Sequence, residues 1–265
     1  MTLPPLHRAF LERALPVFQA DVRLAGVAAG GSFITWEMDE HSDLDLVVVS
    51  PPETSREVLG DGPTIAERLG PLLAAFSGDH VGEPRLLICL YGPPLLHVDL
   101  KFLSLEELLH RIEGPAILWD RDGALRAAIS RSPAEYPRPR FQWIEDRFWV
   151  WVHYGAAKLG RGELFECLDV LAALRAMVFG PLIARDGGHR AAGVRRLEQM
   201  APGLVPALEA TVGDHTPHGC AAALRASVAL YRRLRVDTSA LVRRTSAEAA
   251  SLDYLAQIEA RLPAC

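Results

Sequence analysis

Two stretches in the N-terminal half alternate between apolar and charged positions, which is typical of strands with one buried face. The first carries Asp43 and Asp45 on one face, at the head of the apolar run 46–49. The second, residues 95–103, carries Asp99 on the face opposite an unbroken apolar set. If the two strands are neighbours in one sheet, the three carboxylates line a single cleft.

The remaining pattern of the N-terminal half predicts a mixed sheet flanked by helices. Gly92-Pro93-Pro94 is too constrained for a helix and joins two strands as a turn. Ser104-Leu105-Glu106-Glu107 has the spacing of a capping box and begins a short helix. The predicted helices cover residues 6–18, ending near Pro16, and residues 63–75, and the other predicted strands cover residues 22–28, 85–91 and 116–119.

Residues 130–140 contain three prolines and little apolar periodicity, which indicates a linker. Everything after them has helical spacing, beginning with the apolar stripe of residues 141–159. We therefore predict an α/β (α+β) domain over residues 1–130, a linker over 131–137, and an α-helical bundle over 138–265. Later helices are predicted at residues 194–200, 204–212, 220–234 and 245–262.

A glycine turn precedes the acidic strand. Gly30-Gly31-Ser32 follows one predicted strand and precedes a short stretch that could start a helix. Glycines let backbone N–H groups approach a phosphate, and the start of a helix carries partial positive charge. Ser32 could cap the helix or donate to a phosphate oxygen. Most triplets of this kind are plain turns, so only the carboxylates that follow favour phosphate binding.

Carboxylates placed this close together repel each other, so a cation is expected between them. Oxygen-rich acidic sites suit magnesium, and a site shared by two metals suits phosphoryl or nucleotidyl transfer. Simpler interpretations stay open. An aspartate at a strand entrance is often a turn or cap residue, and Asp99 could form a salt bridge with Lys101 or a nearby arginine.

The order of these motifs resembles the signature of the DNA polymerase β-like nucleotidyltransferase superfamily. The matching elements are Gly31-Ser32, Asp43-Leu44-Asp45 on a strand after ten further residues, and Asp99 on a later strand. The chain looks most similar to the small bacterial branch that includes aminoglycoside and lincosamide nucleotidyltransferases, in which a minimal catalytic domain precedes a helical domain. The motifs lie within residues 20–103, and the helical half matches only in general pattern.

The resemblance implies a role for each residue and an activity. Gly31 and Ser32 would hold the triphosphate, and Asp43 and Asp45 would bind magnesium. Asp99 would join the metal site or deprotonate the acceptor. The implied reaction moves a nucleoside monophosphate, AMP from ATP or another NTP, to a hydroxyl of a small-molecule acceptor. It uses two Mg²⁺ ions and releases pyrophosphate, and an aminoglycoside-like acceptor is expected.

A second stripe on the helix after the linker carries basic and aromatic residues. Lys158 and Arg161 project along one side together with Tyr154. Either this is a solvated face, or Lys158 and Arg161 neutralise the β- and γ-phosphates of the nucleotide. Glu163 and Glu166 follow nearby and either complement a helix start or bind a cationic acceptor.

Charge, cysteine spacing and hydropathy limit the classes of partner that we expect for this chain. The formal net charge of -5 and the pI near 6.0 argue against a polynucleotide substrate, because phosphate backbones are usually met by a basic surface. The four cysteines are scattered without a C-x-x-C pair, which favours reduced thiols and a cytoplasmic location. No run approaches the length of an uninterrupted apolar membrane span, so we expect no membrane partner.

A different class of function stays open at this stage. The chain could be a non-catalytic nucleotide-binding or regulatory module that keeps the fold, or an antitoxin-like protein that nucleotidylates a polypeptide. The three intact carboxylates argue against a decayed site but do not distinguish a small acceptor from a protein acceptor.

Overall fold

A computed structural model describes residues 3–35, 37–137, 139–186, 190–235 and 241–263. The chain forms two compact units, Met1–Pro137 and Arg138–Cys265. Each unit has its own core of buried apolar side chains. The first is built on a β-sheet and the second is helical, as the hydrophobic pattern predicts.

The first unit contains a six-stranded mixed sheet with the strand order β3-β4-β5-β2-β1-β6. Only β2 and β5 are paired in parallel, and the other neighbours are antiparallel. The predicted mixed sheet is thereby confirmed. The strands are β1 (Gly26–Ala29), β2 (Leu44–Ser50), β3 (Leu72–Gly78), β4 (Glu83–Tyr91), β5 (Leu96–Ser104) and β6 (Ala116–Asp120).

Helices flank this sheet. The described ones are α1 (Pro5–Ala20), α2 (Ser32–Thr35), α3 (Pro52–Gly60), α4 (Gly62–Arg68) and α5 (Ala124–Ser130). Apolar residues of α1 such as Phe10 pack with Leu46 and Val98 on one face of the sheet. Part of the opposite face is covered by a smaller cluster in which α5 packs on Val49. Beyond this cluster, the same face of the sheet carries the charged residues of β2 and β5.

The capping box is confirmed, since Ser104 N–H donates to Glu107 Oε2 at 2.8 Å and Glu107 N–H donates to Ser104 Oγ at 3.1 Å. The helix it begins is a single 3₁₀ turn, Glu107–His110. The predicted edge strand is also confirmed as β6. Helix α1 does not end near Pro16 but continues to Ala20, because buried Phe18 fixes its last turn in the core.

The helix predicted over residues 63–75 is wrong beyond Arg68, where α4 ends. The residues that follow form β3 at the edge of the sheet, paired with β4. Ala74 and Ala75 favour a helix locally, and most side chains of β3 are exposed, so no alternation marks it as a strand. Backbone pairing with β4 decides its conformation instead.

The second unit is a set of helices, as predicted. They are α6 (Phe141–Gly160), α7 (Leu164–Leu174), α8 (Gly180–Asp186), α9 (Leu197–Met200), α10 (Val205–Glu209), α11 (Pro217–Leu234) and α12 (Thr245–Glu259). A π-helical turn, Arg175–Phe179, joins α7 to α8. The predicted apolar stripe of α6 is confirmed, since Ile144, Phe148 and Val152 are buried.

The core of the second unit also contains a charge that the stripe did not predict. Glu145 on α6 is fully buried. Its carboxylate accepts hydrogen bonds from Trp149 Nε1 at 3.2 Å, Tyr231 OH at 2.5 Å and the backbone N–H of Arg244 at 2.9 Å. Arg235 lies 3.8 Å away. Every one of these partners belongs to the second unit, so Glu145 ties three of its segments together.

One continuous helical stretch, Leu164–Arg185, is long and apolar enough by composition to cross a membrane. About half of it is buried inside the protein. Its buried residues Leu171, Val178 and Phe179 belong to the apolar core of the second unit. Core helices commonly have this composition, so the stretch is explained by its place in the core.

Candidate functional site

The register of the parallel pair β2 and β5 brings two of the predicted site residues together. Asp45 is the direct partner of Asp99, and the buried Leu44 is the partner of the buried Val98. Because paired residues point to the same side of a sheet, the two aspartates share the half-exposed face while the apolar pair faces the core. The predicted neighbourhood of these strands is therefore confirmed.

The Gly30-Gly31 turn packs directly against this pair. The N–H of Gly30 donates to the backbone oxygen of Asp45 at 3.0 Å. Gly31 has φ +56°, in the left-handed region that favours glycine. A Cβ placed on Gly31 would lie 1.9 Å from Oδ2 of Asp45. The turn therefore requires glycine both for its conformation and for the close approach of the carboxylate.

Ser32 follows the turn as the first residue of the one-turn helix α2. Its hydroxyl oxygen is buried and, among the residues that the structure describes, has no hydrogen-bond partner. Buried hydroxyl groups are normally paired, because leaving one unpaired costs roughly 1 to 3 kcal/mol. An unpaired buried hydroxyl beside a glycine turn fits a residue whose partner is a ligand.

Glu113 belongs to this site although nothing in its local sequence indicates it. Its Oε1 accepts a hydrogen bond from the N–H of Gly31 at 3.0 Å. The same oxygen lies 2.4 Å from the position that a Cβ on Gly30 would occupy. A carboxylate thus sits on the amide that the resemblance assigns to a phosphate. Because 82 residues separate the two partners, only the fold reveals the contact.

Asp99 has a hydrogen-bond partner on its own strand. Nε2 of His97 lies 2.8 Å from Oδ1 of Asp99, and the histidine is half exposed. Lys101 instead pairs with Glu83 at 2.7 Å. The alternative in which Asp99 forms a salt bridge with Lys101 is therefore wrong. Lys101 forms its salt bridge with Glu83 on the neighbouring strand β4, and Asp99 contacts the imidazole of His97 instead.

Asp43 immediately precedes β2 and is half-buried. The loop before it is closed by its own polar groups, since Ser42 Oγ donates to Asp39 Oδ1 and accepts from the N–H of Asp39, each at 3.0 Å. The hydrogen bond that the Ser42 hydroxyl donates, followed by the one from the backbone N–H of His41, lowers the pKa of Asp39. Nε2 of the fully buried His7 lies 2.7 Å from the backbone oxygen of Ser42. Helix α1 therefore anchors the residue beside Asp43.

The carboxylate oxygens at this end of the sheet are the ligands that magnesium prefers. Asp45 and Asp99 are adjacent in register, and Asp43 immediately precedes the strand β2, two residues before Asp45. Across the described part of the chain, no group of three or more His, Cys, Asp or Glu side chains converges as a metal site would require. The carboxylate ligands are of the type that magnesium prefers. Binding of magnesium by Asp43, Asp45 and Asp99 together remains a prediction.

The two predicted phosphate-binding cations lie at the end of α6. Lys158 Nζ pairs with Glu163 at 2.8 Å and Glu166 at 2.9 Å, and these bonds raise the pKa of the lysine. Arg161 pairs with Glu163 at 2.7 Å. Tyr154 donates a short hydrogen bond to Glu166 and lies beneath the ammonium of Lys158. Both cations thus have acidic partners in the second unit, and their role toward phosphate remains a prediction.

Comparison with known proteins gives only distant likeness. No protein-family model and no curated protein matches the chain. Among solved structures, an aminoglycoside 6-adenyltransferase from Bacillus subtilis aligns with 14% identity and a TM-score of 0.38, over 94% of this chain and 97% of that one. A nucleotidyltransferase-like protein from Exiguobacterium sibiricum aligns with 12% identity and a TM-score of 0.40, over 97% and 81%. Both scores are below 0.5, so the functional inference rests on the chain's own residues.

Proposed function

We propose that the chain is a magnesium-dependent nucleotidyltransferase that moves a nucleoside monophosphate from an NTP to an acceptor hydroxyl and releases pyrophosphate. One observation carries the proposal: Asp45 and Asp99 are paired on parallel strands, and the Gly30-Gly31 turn packs against Asp45. The stability of the fold alone does not require two acidic side chains and a left-handed glycine at one end of a sheet.

Each residue has a role in this proposal. The N–H of Gly31 and the hydroxyl of Ser32 hold a phosphate of the nucleotide. Asp43, Asp45 and Asp99 supply oxygen ligands for magnesium, which when bound neutralises phosphate charge and acidifies the acceptor hydroxyl. Asp99 has a second role, because a carboxylate beside the acceptor can take its proton.

The proposal extends to the partners. The nucleotide is ATP and the transferred group AMP, and the acceptor is a small molecule, because the net charge of -5 disfavours a polynucleotide. An aminoglycoside-like acceptor is the first class to test. Lys158 and Arg161 add positive charge for the triphosphate by exchanging their pairing with Glu163 for the phosphate oxygens. The cytoplasmic setting rests on the scattered cysteines.

The test is transfer of label from α-³²P-ATP in the presence of magnesium, with a panel of aminoglycosides and with cell extract. We expect label on a small molecule. Asp45→Asn should lower the rate by at least about a thousandfold with the fold intact, because it removes a metal-binding charge. Asp253→Asn makes the same chemical change at an exposed position of α12 and should leave transfer unchanged. An active Asp45→Asn protein contradicts the proposal.

The same experiment decides between the acceptor classes. If a polypeptide in cell extract becomes labelled, and the label is lost with Asp45→Asn, the chain is still a nucleotidyltransferase but its acceptor is a protein. Binding of ATP without label on any product would favour a non-catalytic nucleotide-binding module.

A further inference from the structure

Glu113 lies on a short segment, residues 112–115, between the 3₁₀ turn Glu107–His110 and β6. Its carboxylate oxygen accepts the hydrogen bond of Gly31 N–H at 3.0 Å. Under the proposed function this N–H is a donor for the nucleotide's phosphate. While the carboxylate accepts this N–H, a phosphate could only share the donor, at poorer geometry and beside a second negative charge.

Both ends of this segment are fixed in the fold. Before it, Nη2 of Arg111 donates to the backbone oxygen of Ile129 at 2.8 Å, and Nη1 donates to Oγ of Ser132 at 3.0 Å. After it, Ala116 is paired with Ala29, the residue before the glycine turn. The backbone anchors on both sides of the segment therefore hold Glu113 beside the Gly30-Gly31 turn.

The side chain of Glu113 lies near the surface of the protein. Glu113 is half-buried, and the residue before it, Ile112, is 49% exposed. A glutamate at such a position can change its rotamer, so the carboxylate can leave the Gly31 amide while the anchored backbone on either side stays in place.

We propose that Glu113 is an internal competitor of the nucleotide: its carboxylate occupies the phosphate position at Gly31 and must be displaced before a triphosphate binds. The inference rests on the proposed function of the glycine turn. It adds a regulatory contact, because the carboxylate lowers affinity for phosphate both by taking the donor and by repelling a second anion.

The test measures binding of two probes, inorganic tripolyphosphate and magnesium–ATP, by calorimetry on the full chain. Glu113→Ala removes the competing oxygen and the charge, and Glu113→Gln keeps an oxygen acceptor but removes the charge. We expect affinity to rise about tenfold in Glu113→Ala and less in Glu113→Gln, as for removal of one charge-assisted hydrogen bond. Glu106→Ala is the matched control, because Glu106 is exposed in the preceding turn.

The outcomes separate this inference from the proposed function. Tighter tripolyphosphate binding by Glu113→Ala supports the competitor even if the protein transfers no nucleotide. Unchanged or weaker binding by both Glu113 variants, in proteins that melt at the wild-type temperature, overturns it even if the wild type is an active transferase. Weaker binding together with lost transfer would show that Glu113 supports the site, which also overturns it.

Discussion

Two buried polar groups, one in each unit, have opposite surroundings. In the second unit, the buried Glu145 is surrounded by donors from Trp149, Tyr231 and the backbone of Arg244. In the first unit, the buried hydroxyl of Ser32 has no partner within the described residues. The carboxylate on the neighbouring Gly31 amide comes from a distant segment of the chain.

This contrast separates polar groups that stabilise the fold from polar groups available to a ligand. Glu145 is fully paired, so removing it should cost stability. The Ser32 hydroxyl has no partner within the described residues, and the Gly31 turn lies against the carboxylate of Asp45, so changing either residue should affect binding and chemistry. The expected losses differ in kind between the two units.

The largest effect should come from Glu145→Ala. The substitution leaves the donors of Trp149 and Tyr231 buried without their acceptor and also removes the acceptor of the Arg244 N–H, which should lower the free energy of unfolding by about 3 to 5 kcal/mol. Urea denaturation followed by circular dichroism measures it. Glu163→Ala, which removes a partly exposed ion pair with Lys158, should cost less than about 1 kcal/mol. Similar losses in the two variants would contradict the structural role of Glu145.

Gly31→Ala should have the next largest effect, on activity. Its Cβ would overlap Oδ2 of Asp45, and its φ of +56° is strained for alanine. We expect nucleotidyl transfer to fall by more than about 100-fold, because the displaced carboxylate of Asp45 no longer lies beside that of Asp99. The matched control is Gly114→Ala, where the added Cβ meets open space. Equal activity of the two variants would show that the turn tolerates a side chain.

Ser32→Ala should separate binding from stability. The hydroxyl has no partner among the residues that the structure describes, so removing it should not lower the free energy of unfolding and should raise it if the unpaired group is a burden on the fold. The KM for ATP should rise about tenfold through the loss of one hydrogen bond to phosphate. Steady-state kinetics and a thermal melt give both numbers. A destabilised protein with an unchanged KM would assign Ser32 to the fold instead.

The smallest effect concerns pH and the salt bridges of the sheet. Arg85, followed by Lys101, lowers the pKa of Glu83 from 4.5 to about 2 in the folded protein. Ionised Glu83 therefore stabilises the fold above about pH 4.5, and this contribution of about 1 to 2 kcal/mol disappears as the pH falls toward 2. Glu83→Gln should reduce the slope of stability against pH in this interval. An unchanged slope would exclude the ion pairs as its cause.

The sequence predicted those features that depend on local patterning. The alternation around Asp45 and Asp99 identified two strands with a shared polar face, and helical spacing identified the core of α6. It failed for β3, whose alanines favour a helix and whose exposed side chains show no alternation, because only backbone pairing with the next strand, β4, fixes its conformation. Glu113 and Glu145 were missed because each is defined by a partner more than 80 residues away in the chain.

The most direct test of the central claim is a crystal structure with a non-hydrolysable ATP analogue and Mn²⁺, whose anomalous scattering locates the metal in place of magnesium. We predict manganese bound to the carboxylates of Asp45 and Asp99, a phosphate oxygen on the N–H of Gly31, and Glu113 displaced from that amide. Analogue and manganese bound away from the Gly30-Gly31 turn and from both aspartates would contradict the claim.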